Sequence, residues 1–284
     1  MTSRLAVLLS VLLFVLTACS SAGASPAPSA PSVAPTTAAS ASAALSSEPV
    51  ELTIYGAASL KGALEAAKAA YETANPGTTV TLSTGSSAAL ETQIEQGAPA
   101  DVFLSADTTN PKKLVDADLA DGAAITFAAN ELTVIVPTAN PAGITSPKDL
   151  ARAGVKVIAA GEEVPITKYA KQLVDNLAEE AGFPADFAAK YTASIASKEE
   201  DVKSVVAKIE IGEGDAGIVY VTDAKASTEV TTVDVPPSAN VPATYAGVVV
   251  KASKNAAAAK AFLDWFAGPD GQAILSSSGF LPAP

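Results

Sequence analysis

The chain has 284 residues and a net charge of −12, enough length for one large domain or two lobes. The acidic balance, with no basic run, argues against nucleic acid and against electrostatic membrane binding. There is no His and only one Cys, so Ser-His-Asp and Cys-His catalysis, nearly all zinc sites and internal disulfides are excluded.

The chain opens with a single positive charge at Arg4, followed by an almost wholly apolar run of ~12 residues over 5–16, the form of a secretory signal. A transmembrane helix needs ~20 residues, so this run is too short to span. Leu16-Thr17-Ala18-Cys19 resembles a bacterial lipobox. Residues 1–18 then read as a lipoprotein signal peptide, and Cys19 as the lipidated new N-terminus. Removing 1–18 takes away one Arg and no acid, which makes the remainder −13. Within 19–48, the residues after Cys19 are almost all Ser, Ala, Pro, Thr and Gly, and they are expected to form a disordered spacer. The expected location is outside the cell membrane, on its outer face, held by the lipid.

Strand-like residues begin near Val50. Residues 51–55 alternate as a first strand, and Gly56-Ala57-Ala58-Ser59 forms a small-residue turn. Leu60, Leu64, Ala67 and Tyr71 follow at helical spacing, ending near Asn75-Pro76-Gly77. Residues 78–82 predict a second strand, Thr84-Gly85-Ser86-Ser87 a second small turn, and Leu90 and Ile94 a second helix. Residues 100–105 predict a third strand. Two strand–turn–helix units before a third strand point to a parallel sheet with crossover helices.

Further strands are predicted at 132–137, 155–159, 217–221 and 245–250. One helix runs through Tyr169, Leu173 and Leu177, and another carries Val202, Val205, Val206 and Ile209 on one face. Phe262, Trp265 and Phe266 form a core stripe on a late helix, and a short last helix follows Gly268-Pro269. The pattern fits an α/β fold of two lobes, each a mainly parallel sheet with flanking helices, joined by hinge strands. The expected division is 49–131 for the first part of lobe 1, 132–249 for lobe 2 with the hinge strands, and 250–284 for the return to lobe 1.

Ligands of parallel sheets bind beyond the carboxyl ends of the strands. A helix N-terminus there offers free N–H groups and partial positive charge, which suit an anion. Ser59 and Ser87 sit at two such turns. They read either as N-caps or as hydroxyl donors to an anion. Glu199-Glu200-Asp201 opens a helix, where the dipole favours acids. No phosphate loop, Gly-x-Ser-x-Gly elbow or Ser-x-x-Lys pair occurs, so no enzymatic activity is expected.

Several segments together carry a resemblance: Ala57-Ala58-Ser59-Leu60, Gly85-Ser86-Ser87, the run from Gln93 through Gly97-Ala98-Pro99-Ala100-Asp101-Val102 to Ala106, Val164-Pro165 with Tyr169-Ala170-Lys171, Glu200-Asp201-Val202, and Gly217-Ile218-Val219-Tyr220. In this order they resemble the molybdate-binding proteins of bacterial ABC importers, over residues 51–280. The resemblance implies a type II periplasmic-binding-protein fold, a molybdate or tungstate ligand, no cofactor, no metal-cation ligands and an ABC permease as partner to a monomer. It implies ligand contacts from Ser59 and Ser87 in the first lobe, through hydroxyl and backbone N–H. In the second lobe it implies the Tyr220 hydroxyl and the backbone N–H of Val202 and of Ile166. Family members often carry Ala-Gly where this chain has Ile166-Thr167. Another oxyanion, such as sulfate or phosphate, is the alternative ligand.

Overall fold

The computed structural model describes residues 49–284. The signal peptide, Cys19 and the spacer expected within 1–48 lie outside the described residues.

The first half runs β1 Val50–Ala57, α1 Lys61–Ala74, β2 Thr78–Gly85, α2 Ser87–Glu95, β3 Val102–Ser105, α3 Thr109–Asp116, β4 Ile125–Asn130 and β5 Leu132–Pro137. Then come β6 Val157–Ala160, α4 Pro165–Glu179, α5 Phe187–Ser194, β7 Ile195–Glu199, α6 Val202–Glu210, β8 Ala216–Tyr220 and α7 Val221–Lys225. β9 Val230–Val233, β10 Ala243–Val249, α8 Ala256–Ala267 and α9 Pro269–Ser277 complete the chain. The helices form where apolar side chains recur at helical spacing. α1 buries Ala63, Leu64, Ala67 and Tyr71, and Gly77, with φ of 94°, makes the left-handed turn into β2. α4 opens on Pro165, which lacks an N–H where none is needed, and buries Ile166, Tyr169, Leu173 and Leu177.

Two five-stranded sheets result, ordered β2-β1-β3-β10-β4 and β7-β6-β8-β5-β9. Each contains one reversed strand in its fourth place. β10 runs antiparallel to β3 and β4, and β5 runs antiparallel to β8 and β9. The other pairings, β1 with β2 and β3 and β6 with β7 and β8, are parallel. Each reversed strand arrives directly from the edge strand of the other sheet. β4 hands over to β5 through Glu131 alone, and β9 leads to β10 through residues 234–242.

This pairing corrects the expected return at residue 250. β10 lies between β3 and β4, so the chain is back in the first sheet at Ala243. Every residue of β10 except Thr244 is buried. Such a strand is apolar on both faces, which shows that it sits inside a sheet but not inside which one. The strand expected at 217–221 also ends one residue early, because Val221 starts α7. The elements α3, β4, α5, β7, α7 and β9 were not anticipated.

One apolar cluster extends from β1 and α1 through the second sheet to α8 and α9, and a smaller one lies under α2 and α3 around Phe103 and Leu114. The aromatic stripe on α8 packs as expected. Phe262 stacks on Phe266 with centroids 6.0 Å apart, and Tyr71 meets Phe262 edge-on at 5.0 Å. Phe262→Ala should therefore lower unfolding free energy by about 3–5 kcal/mol, measured by denaturant titration. At Gly271 a Cβ would stand 2.0 Å from the carbonyl oxygen of Phe266. Gly271→Ala should destabilise by about 1–3 kcal/mol in the same assay, through forced separation of α8 from α9.

Candidate functional site

The carboxyl ends of β1, β2, β3 and β8 and the starts of α4 and α6 face a tight cleft of about 10 Å³ between the two sheets. β1 delivers Ala57, Ala58 and Ser59; β2 delivers Gly85, Ser86 and Ser87; β3 delivers Ala106. From the opposite side come Val164, Pro165 and Ile166 at the start of α4. Asp201 and Val202 stand at the start of α6, and Tyr220 ends β8. The five residues singled out in the sequence, Ser59, Ser87, Ile166, Val202 and Tyr220, all border this one cleft.

Neither serine caps its helix. Ser87 begins α2 and makes no side-chain cap; its Oγ accepts the N–H of Ala106 at 3.1 Å. Ser59 lies in the 3-10 turn Ala58–Leu60, again without a cap bond, and its Oγ is 2.8 Å from the hydroxyl of Tyr245. The N–H groups of Ile166 and Val202 meet no acceptor among the described residues, as expected in a first helical turn. α2, α4 and α6 thus present three positive helix ends to one space.

The Tyr220 hydroxyl is the sharpest feature. It is 1% exposed and has no hydrogen-bond partner among the described residues. Its ring is held edge-on by Tyr245 at 5.7 Å and Tyr169 at 6.4 Å. Burial pushes its pKa well above the ordinary tyrosine value, and the neighbouring Tyr245 adds to this. The group therefore keeps its proton and can only donate to an anion. The Ser86 Oγ, also buried and unpartnered, borders the same cleft and was not singled out in the sequence. Its signal was present, since Ser86 is the N-cap position of α2.

The lining carries no Lys or Arg, and Lys61 points to solvent. Its one acid, Asp201, is occupied in capping α6, with Oδ1 accepting the N–H of Ser204 at 2.9 Å. Hence the cleft offers neutral donors: hydroxyls, backbone N–H groups and helix ends. Among the described residues, no group of three His, Cys, Asp or Glu side chains could hold a metal ion. A larger cavity of about 420 Å³ lies between α4 and α5, rimmed by Glu162, Lys171 and Lys198. Those charges pair with one another at the surface, and the two lysines hold the Glu162 carboxyl down at about 2. No unpartnered buried polar atom faces that cavity, so it lacks the character of the smaller cleft.

This fold and donor set are those of a solute-binding protein. The family model described as bacterial extracellular solute-binding protein matches residues 52–281, and the chain belongs to that family. It is 34% identical over 230 residues to the molybdate-binding protein ModA of Mycobacterium tuberculosis H37Rv, covering 81% of this chain and 84% of that one. It is 32% identical over 237 residues to the molybdate-binding protein ModA of Escherichia coli K12, covering 81% and 88%. The solved periplasmic molybdate-binding protein of Azotobacter vinelandii superposes with a TM-score of 0.69 at 26% identity, over 82% of this chain and 100% of that one. Together with the paired sheets, these likenesses establish the two-lobed type II periplasmic-binding-protein fold.

Behind Tyr220, α7 carries Asp223, whose side chain is fully buried and ion-paired to Lys203 at 3.0 Å. Burial raises its pKa above the ordinary 3.8, and Lys203 offsets this only in part. The folded chain then binds this proton more tightly than the unfolded chain. From pH 3.8 up to the raised folded value, the group makes stability fall as pH rises. Asp223→Asn should flatten that segment of the curve of melting temperature against pH, while the wild type keeps its downward slope.

Proposed function

We propose that this chain captures molybdate, and equally tungstate, between its two lobes and delivers it to an ABC permease. The observation that carries the reading is the buried, unpartnered Tyr220 hydroxyl facing helix ends from both sheets. A tetrahedral dianion presents acceptors in every direction, so a pocket rich in neutral donors suits it. Aligned N–H dipoles stabilise such an anion without a formal countercharge. The names of the M. tuberculosis, E. coli and A. vinelandii relatives support the ligand.

In this reading Ser59 and Ser87 donate through hydroxyl and N–H, Ile166 and Val202 through backbone N–H, and Tyr220 through its hydroxyl. Ile166 acts through its backbone alone, so its side chain is free to pack. The two crossovers, through Glu131 and through residues 234–242, act as the hinge. The protein works as a monomer, exported and held at the outer face of the membrane by a lipid on Cys19. A tether keeps the loaded protein near the permease that it serves.

Titration calorimetry should give tight one-to-one binding of molybdate; heat with sulfate and none with molybdate or tungstate overturns the ligand assignment. Ser59→Ala, Ser87→Ala and Tyr220→Phe should each weaken molybdate binding by about 1.5–3 kcal/mol, the value of a hydrogen bond to a charged group. Unchanged affinity in all three variants would show that the anion binds elsewhere.

A further inference from the structure

A serine hydroxyl has one proton to give and two lone pairs to receive. Which of these Ser59 turns toward the cleft depends on its other neighbour. That neighbour is Tyr245 of β10, with its hydroxyl 2.8 Å from Ser59 Oγ. Tyr245 is fully buried and does not border the cleft. The register of β10 against β4 shifts between Tyr245 and Ala246, a bulge of the kind that re-aims a side chain.

The direction of the Ser59–Tyr245 bond is set one step further back. Asn130, the last residue of β4, accepts the N–H of Glu131 at its Oδ1, at 3.0 Å. Its Nδ2 donates to Thr222 Oγ1 at 2.8 Å and lies 3.4 Å from the Tyr245 hydroxyl oxygen. The backbone N–H of Glu131 therefore fixes the amide with N–H toward Tyr245. Tyr245 receives from Asn130, and its own proton has Ser59 Oγ as its one acceptor among the described residues. The chain runs one way: Asn130 donates to Tyr245, Tyr245 donates to Ser59, and the Ser59 proton is left for the cleft. Ser87 reaches the same condition separately, since its Oγ receives from Ala106 N–H.

We infer that Tyr245 and Asn130, without touching the ligand, set the site's preference for fully deprotonated oxyanions by forcing Ser59 to donate. A ligand that carries its own proton, such as monohydrogen phosphate, finds no acceptor at Ser59 and would bury an unpaired O–H. Molybdate and sulfate, with no proton, are not penalised. This assignment rests on the oxyanion reading above and adds two positioning residues to it.

The test compares ratios of affinity. Dissociation constants for molybdate, sulfate and phosphate are measured on the purified protein by calorimetric competition, at a pH where phosphate keeps a proton and the other two are dianions. Tyr245→Phe removes the donor but keeps the ring against Phe127, Tyr220 and Phe280. It should weaken molybdate and sulfate alike by about tenfold, the loss of roughly one hydrogen bond, while phosphate weakens less or not at all. Asn130→Asp is nearly isosteric and reverses the relay. Its carboxylate accepts from Tyr245, which then accepts from Ser59, so that Ser59 turns a lone pair to the cleft.

In Asn130→Asp the preference for molybdate over phosphate should narrow by about tenfold or more, while the ratio of molybdate to sulfate stays fixed. That control separates the relay from a general loss of packing or an added negative charge, which weaken all three anions together. A molybdate-to-phosphate ratio unchanged in both variants, or phosphate competition appearing in neither, overturns the inference. Failure of the wild-type protein to bind molybdate or sulfate overturns the oxyanion reading instead. Thermal melting of each variant, with the transition retained, establishes that the ratios belong to folded protein.

Discussion

The arrangement depends on a costly feature: polar groups are buried where no atom of the described residues answers them. The hydroxyls of Tyr220 and Ser86 are both in this state. Each such group costs about 1–3 kcal/mol. A cost of that kind persists only where surrounding structure holds it in place, and here extensive cores on both sides do so. The strand ends and helix starts that form the cleft are fixed by packing elsewhere. The donors therefore do not need to reorganise when an acceptor arrives.

The second constraint is neutrality. Among the described residues, no Lys or Arg borders the cleft. Several form surface pairs, such as Lys112 with Asp116, and Lys203 serves as counter-ion to the buried Asp223. The one carboxylate at the cleft is occupied by a helix N-terminus. A formal cation would attract any anion. Oriented dipoles act at short range and reward only a ligand whose acceptors match their directions.

Much of this was legible in the sequence because the informative features are local. Small-residue turns after alternating strands marked the ends of β1 and β2, and the apolar stripes marked α1, α4, α6 and α8. The elements that escaped lack such signals. β7 and β9 are edge strands of five and four residues, only partly buried, and α5 is rich in Ala, with a weak apolar face. β4 reads as ITFAAN, with little to separate it from a loop. Within the cleft, Ser59 and Ser87 were visible from their turns. The partners that orient Ser59 were not, because Tyr245 lies 186 residues away and Asn130 sits at the end of a strand that was not anticipated. Strand order is likewise non-local, so the pattern of residues 245–250 marked a strand without placing it between β3 and β4.

The two reversed strands have a consequence for how the chain assembles. The first sheet needs β10 between β3 and β4, and β10 begins only at Ala243. Until then β3 and β4 have no partner between them, and the segment that makes the whole second sheet must already have been made. The first-made part of the molecule is therefore the last to be finished. Closure over such sequence distances is slow, because loop entropy is lost before the contacts that offset it. During that delay the bare edge of β3 is open to wrong pairing. The first sheet cannot be cut out as a contiguous piece of chain, whereas all five strands of the second lie within residues 132–233, and a chain stopped short of β10 lacks the strand that completes its first sheet.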